Sequence, residues 1–149
     1  MKTARLLALC MLALSVVSGA AHALEYKSVG ANPAVLYDAP SANGRKLFVA
    51  PRGMPVEVVL TYGEWTKVRD AAGDLAWVES KMLASKRTVL VNTQGAKVRS
   101  AAEDASAIVF TADKGVLLDQ VDAVASGWVK VRHRDGQVGY VKAADVWGE

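Results

Sequence analysis

The sequence predicts an all-β protein made of two tandem small five-stranded barrels, each closed by a short helical turn. Three observations predict it. First, Glu64-Trp65-Thr66-Lys67-Val68-Arg69, followed by Gly73 and Ala76-Trp77-Val78, returns as Gly127-Trp128-Val129-Lys130-Val131-Arg132, followed by Gly136 and Gly139-Tyr140-Val141. The offset is 63 residues from Trp65 to Val78 and 62 upstream, where Leu36 matches Val98, Ala39 matches Ala101 and Gly53 matches Gly115, so one inserted residue reconciles the halves. Second, from Tyr26 onward apolar and polar residues alternate with the period of half-buried strands, punctuated by Gly, Asn and Asp. Third, repeats of roughly 20–50 residues indicate solenoids, whereas this longer unit can bury a small core of its own.

The chain opens on an export signal. Lys2 and Arg5 form a positive start, residues 6–17 are almost continuously apolar, and Ala21-His22-Ala23 is an A-x-A cleavage site, so residues 1–23 are expected to be removed after Ala23. The apolar run is shorter than the ~20 residues that span a bilayer, so no stable membrane anchor is expected after cleavage. Cys10 follows Leu9 where a lipoprotein signal needs a small residue, and it reads as part of the apolar signal core.

In the first unit, residues 24–83, strands are expected at 35–37, 47–49, 55–61, 65–69 and 75–78, with turns at Gly63-Glu64 and 71–74. The second unit, residues 88–149, repeats them at 97–99, 108–110, 116–124, 128–134 and 138–141, with Asp135-Gly136 as a two-residue hairpin signal. Residues 88–91 form an extra apolar run whose one candidate counterpart is 26–29; it opens the second unit or pairs across the boundary. After the last strand of each unit, residues 79–83 and 142–146 can make one helical turn. One turn needs packing to be stable, so Leu83 and Val146 are expected to plug the barrel ends. The linker, residues 84–87, is short and polar, which favours neighbouring barrels of limited freedom. A unit of about sixty residues has a marginal core, and docking of the two would support both.

Composition removes several functions. Of 18 basic and 15 acidic residues, the signal holds two basic and no acidic ones, leaving a net charge of +1 and no general affinity for nucleic acid or anionic membranes. The signal also takes the one Cys and one of two His, so the exported chain has no thiolate for a Cys/His hydrolase and His133 alone for a zinc site or a Ser/His/Asp triad. His133 lies between Arg132 and Arg134 on an expected strand beside a turn, where a structural role is expected, and the carboxylates are scattered without an acid/base pair. The reading is not an enzyme: no catalytic residue, no metal and no cofactor.

Val98-Arg99-Ser100, then Lys114-Gly115, then residues 127–132 and Asp135-Gly136-Gln137-Val138-Gly139-Tyr140-Val141 resemble the bacterial type of Src-homology-3 (SH3-like, SH3b) domain. The first unit resembles it through Gly53, residues 65–69, Gly73 and Trp77-Val78. The resemblance implies strongly bent five-stranded barrels, common in exported cell-envelope proteins, that bind peptidoglycan, peptides or other proteins. Val35-Leu36-Tyr37-Asp38-Ala39 is also similar to the Ala-Leu-Tyr-Asp-Tyr signature of eukaryotic relatives, whose aromatic groove reads proline-rich helices. Tyr37 and Trp65 match that groove, but Ala39, Glu79 and Met82 depart from it, and the second unit keeps Trp128 alone among Arg99, Ala101, Lys142 and Asp145.

Alternation puts Trp65, Lys67 and Arg69 on one face and Thr66 and Val68 on the other; Trp128, Lys130, Arg132 and Arg134 likewise oppose Val129, Val131 and His133. With the Val side inward, each Trp shares an outer face with a row of cations. Structurally such a row shields the sheet; functionally it is an aromatic platform flanked by positive charge. Tyr37, Trp65, Lys67, Arg69, Trp128, Lys130 and Arg132 are the candidate ligand contacts. Trp77 and Tyr140 suit a core or rim role, and Trp147 a clamp on the C-terminus. The expected partner of this periplasmic or secreted, non-enzymatic binding module is peptidoglycan or its peptides, with an envelope protein as the alternative.

Overall fold

The computed structural model describes residues 23–149, and the expected signal segment up to His22 lies outside the described residues. Every long element is a strand. The first barrel contains β1 (Glu25–Val29), β2 (Ala34–Tyr37), β3 (Lys46–Ala50), β4 (Pro55–Tyr62), β5 (Trp65–Arg69), β6 (Leu75–Glu79) and β7 (Leu83–Ala84). The second contains β8 (Thr88–Val91), β9 (Ala96–Arg99), β10 (Ile108–Ala112), β11 (Leu117–Gln120), β12 (Trp128–Arg132), β13 (Val138–Lys142) and β14 (Val146–Trp147). Each forms an antiparallel sheet with the same permutation, β3-β2-β6-β5-β4-β1-β7 and β10-β9-β13-β12-β11-β8-β14.

The five expected strands of each unit are thus joined by two more. β1 pairs β4 and β7, and β8 pairs β11 and β14, so the run at 88–91 does have its counterpart in the run at 26–29. Both opening strands stay within their own barrel. The one-turn segments are 3-10 turns, Ser80–Met82 and Ala143–Asp145. They deliver Leu83, packed against the first core, and Val146, buried in the second. Alternation on β5 and β12 buries Thr66, Val68, Val129 and Val131, and each barrel holds its own Val-rich core.

Two local expectations are corrected. β11 ends at Gln120 rather than 124: Gln120 Nε2 donates to the Asp122 carbonyl, and Asp122 and Ala123 are poor strand formers. The Asp135-Gly136 connection is also longer than two residues. His133 and Gln137 close it by an N–H···O bond of 2.9 Å and Gly136 N–H returns to the His133 carbonyl, a three-residue loop with a bulge that places His133 just beyond β12.

The barrels are docked through polar and aromatic groups. Ser28 and Thr88, 1% and 4% exposed, are two of the three buried polar side chains among the described residues, and both sit at the junction. Ser28 Oγ donates to the Lys86 carbonyl at 2.7 Å and Thr88 Oγ1 to the Gly53 carbonyl at 2.6 Å. Trp147 meets Tyr26 edge-on, with centroids 5.2 Å apart. Arg87 lies 5.5 Å from the same Tyr26 ring and donates to the Gly148 carbonyl. A Cβ on Gly148 would come within 2.9 Å of Pro55 Cβ and 3.0 Å of the Thr88 carbonyl, so the approach of the tail to the first barrel needs glycine.

Candidate binding surface

The Trp65 face is built by register. Gly63-Glu64 is a two-residue hairpin turn with Gly63 at φ 55°, and it sets Tyr62 directly opposite Trp65. An extra residue at Val59 shifts β4 so that Leu60 faces Lys67. On the other side of β5, Trp65 is opposite Glu79 and Lys67 opposite Trp77, and Trp77 is opposite Tyr37. Directly paired residues share a face, so Tyr37, Trp77, Trp65 and Tyr62 form one aromatic band across β2, β6, β5 and β4.

The band is layered. Tyr37 is only 9% exposed and meets Trp65 edge-on at 5.4 Å, so it packs beneath the indole. Trp65 and Trp77 are half-buried, and Tyr62 is 67% exposed. Lys67 Nζ lies 5.8 Å from the Trp77 ring, within cation–π range. Arg69 is spoken for: its Nη1 donates to both Glu57 oxygens at 2.9 and 3.0 Å. Glu79 pairs with Lys81 at 2.8 Å, and that hydrogen bond raises the Lys81 pKa. The row of free cations expected along β5 is therefore an ion pair, a stacked lysine and an aromatic band.

The second barrel departs at several of these points. Arg99 replaces Tyr37 and donates to the Ser106 carbonyl at 2.9 Å, and Ala125 stands opposite Trp128 where Tyr62 faces Trp65. Lys142 takes the place of Glu79 and lies 5.8 Å from the Trp128 ring. It also reaches Asp104 at 2.8 Å, a hydrogen bond that lowers the Asp104 pKa. Lys130 repeats Lys67, 5.9 Å from Tyr140, and pairs with Asp122 at 3.8 Å. Two aromatics remain of four, and Trp128 is covered by a cation. Arg132 belongs elsewhere, in the cleft between the barrels.

Tyr62 escaped the sequence reading although its signal was present: a two-residue turn at Gly63-Glu64 requires its flanking residues to pair. Trp77, expected in a core or rim role, lies opposite Lys67 and Tyr37, and this register places it in the band.

His133 also lines the cleft, as does Asp119. Asp119 is paired with Lys86 at 3.0 Å, and His133 Nδ1 with Asp135 at 3.0 Å outside the cleft. Backbone and side-chain hydrogen bonds from Gln137, then His133, hold the Asp135 pKa down to about 2. The cleft hydroxyls of Ser28 and Thr88 both donate to carbonyls. Among the described residues these groups assemble no nucleophile–base pair, and no cluster of three or more His, Cys, Asp or Glu is placed to hold a metal.

The family described as Bacterial SH3 domain matches this chain twice, at residues 30–84 and 92–148. No curated protein matches. Among solved structures the chain is similar to NlpC2 of Trichomonas vaginalis, at 13% identity and TM-score 0.40 over 85% of this chain and 49% of that one. NlpC1 of the same organism has 13% identity and TM-score 0.40 over 89% and 48%. An NlpC/P60 family protein of Bacillus cereus ATCC 10987 has 15% identity and TM-score 0.38 over 83% and 56%. The chain spans about half the length of these structures.

Proposed function

The chain belongs to the bacterial SH3 domain family, in two tandem copies, and from that premise we propose that it is an exported, non-enzymatic binding module of the cell envelope that docks peptidoglycan or its peptides. The aromatic band of the first barrel carries the reading. Trp65, Trp77 and exposed Tyr62 offer a strip of flat apolar surface, Tyr37 fixes Trp65 from beneath, and Lys67 and Glu79 flank it with one charge of each sign. Such a strip suits a chain that alternates sugar or peptide backbone with charged groups, because aromatic area supplies affinity and the flanking charges set orientation. The second barrel lacks two of the four aromatics, so it serves as support and the first barrel as the reader.

The test is co-sedimentation of the exported chain with purified sacculi. Trp65→Ala and Tyr62→Ala are expected to lower the bound fraction severalfold, with Trp128→Ala close to wild type. Equal binding by wild type and Trp65→Ala would sink this assignment. Recovery of one stoichiometric protein from crosslinked envelopes, with no sacculus binding, would support the adaptor alternative.

A further inference from the structure

The cleft between the barrels, about 870 Å³, is strongly asymmetric in charge. One wall carries Arg52, from the turn between β3 and β4. The other carries Arg132 and Arg134, from the β12–β13 hairpin, and Lys86 of the linker also lines the cleft. Asp119 is the one acidic residue in the lining. Four permanent cations against one carboxylate leave three net positive charges, more than the net of +1 carried by the whole exported chain. Lys86 is paired with Asp119, which stands opposite Arg132 across β11 and β12, whereas the guanidinium groups of Arg52, Arg132 and Arg134 have no ion pair or hydrogen bond among the described residues. Like charges gathered into one concavity repel one another and focus the field, and an anionic ligand relieves both.

The shape narrows the ligand. The volume is that of a site for a small organic molecule or short peptide, and Val29, Val116 and Leu117 add an apolar component to the charged lining. Guanidinium groups on opposite walls suit carboxylates, which accept two parallel N–H bonds from each. The docking bonds of Ser28 and Thr88 run beside the cleft and hold its walls at a fixed separation.

We propose that this cleft is a second binding site, separate from the aromatic band, for an acidic peptide segment whose carboxylates bridge Arg52 of the first barrel and Arg132 of the second. It does not rest on the aromatic band being the peptidoglycan site. The probe is a fluorescein-labelled hexaglutamate peptide, with hexaglutamine as its neutral control, read by fluorescence anisotropy on the exported chain. Hexaglutamate is expected to bind saturably and to weaken as salt is raised. Arg52→Gln and Arg132→Gln are each expected to weaken it about tenfold, the loss of one charge-assisted hydrogen-bonding group. Lys97→Gln, an exposed cation on β9, and Trp65→Ala are expected to leave it unchanged. The bound peptide is expected to move the amide signals of Gly53 and Gly115, which line the cleft.

The proposal is overturned if hexaglutamate binds no better than hexaglutamine, or if the Arg52 and Arg132 variants lose no more than Lys97→Gln. Amide shifts confined to the Trp65 face would overturn it as well. Inorganic pyrophosphate competing as tightly as the peptide would overturn the peptide assignment in favour of a bare oxyanion. Arg52 and Arg132 are exposed, so unchanged thermal melts of their variants are expected to accompany the loss.

Discussion

Replacing Trp147 by Ala separates the barrels at their aromatic contact, and the cost can be worked from the geometry. Removing a fully buried indole costs about 3–5 kcal/mol. Trp147 is half-buried, so about 2 kcal/mol is expected. Of that, about 1 kcal/mol belongs to the edge-to-face contact with Tyr26, whose centroid is 5.2 Å away at an interplanar angle of 83°. Tyr26→Ala loses the same contact together with the Arg87 stack. A double-mutant cycle isolates the shared part: the two single losses, measured by guanidinium denaturation, are expected to exceed that of Trp147→Ala/Tyr26→Ala by about 1 kcal/mol. A cycle coupling below about 0.3 kcal/mol would refute the claim that these rings couple the barrels.

Three further outcomes are expected. The Tyr26 phenol has its pKa raised above 10.0, by burial first and then by Glu57 and Glu149, so its protonated form is the one the fold favours. Its contribution is complete below the unfolded-state value and is lost as pH rises through the folded one, so stability falls on the alkaline side in wild type and falls less in Tyr26→Phe, read by melts across that range. Asp135, held down to about 2, contributes above its unfolded value of 3.8 and loses that contribution as pH falls toward 2; Asp135→Asn is expected to flatten this acid limb of the same melts. Gly139→Ala places a Cβ 2.7 Å from both the Arg99 carbonyl oxygen and Val98 Cγ1, and is expected to destabilise the second barrel by about 1–3 kcal/mol in denaturant.

The fold was legible because its signals are local and present twice. Alternation on β5 and β12 assigns Val129 and Val131 to the interior from sequence alone, and comparison of the copies isolates Tyr37 and Trp65. What escaped depends on register or on distant segments. The aromatic band needs Tyr62 paired with Trp65 and Trp77 with Tyr37, and the second of these joins strands far apart in the chain. Arg69 reads as a free cation on β5 until β4 brings Glu57 opposite it. The cleft arises only when the turn carrying Arg52 and the hairpin carrying Arg132 are docked, and no spacing within either repeat encodes that approach.

The proposal that the first barrel reads the ligand through its aromatic band is tested by sacculus co-sedimentation of Trp65→Ala against Trp128→Ala, in chains confirmed to be folded. A severalfold loss for Trp65→Ala with Trp128→Ala near wild type is the expected outcome. Equal losses from both, or a larger loss from Trp128→Ala, would contradict it.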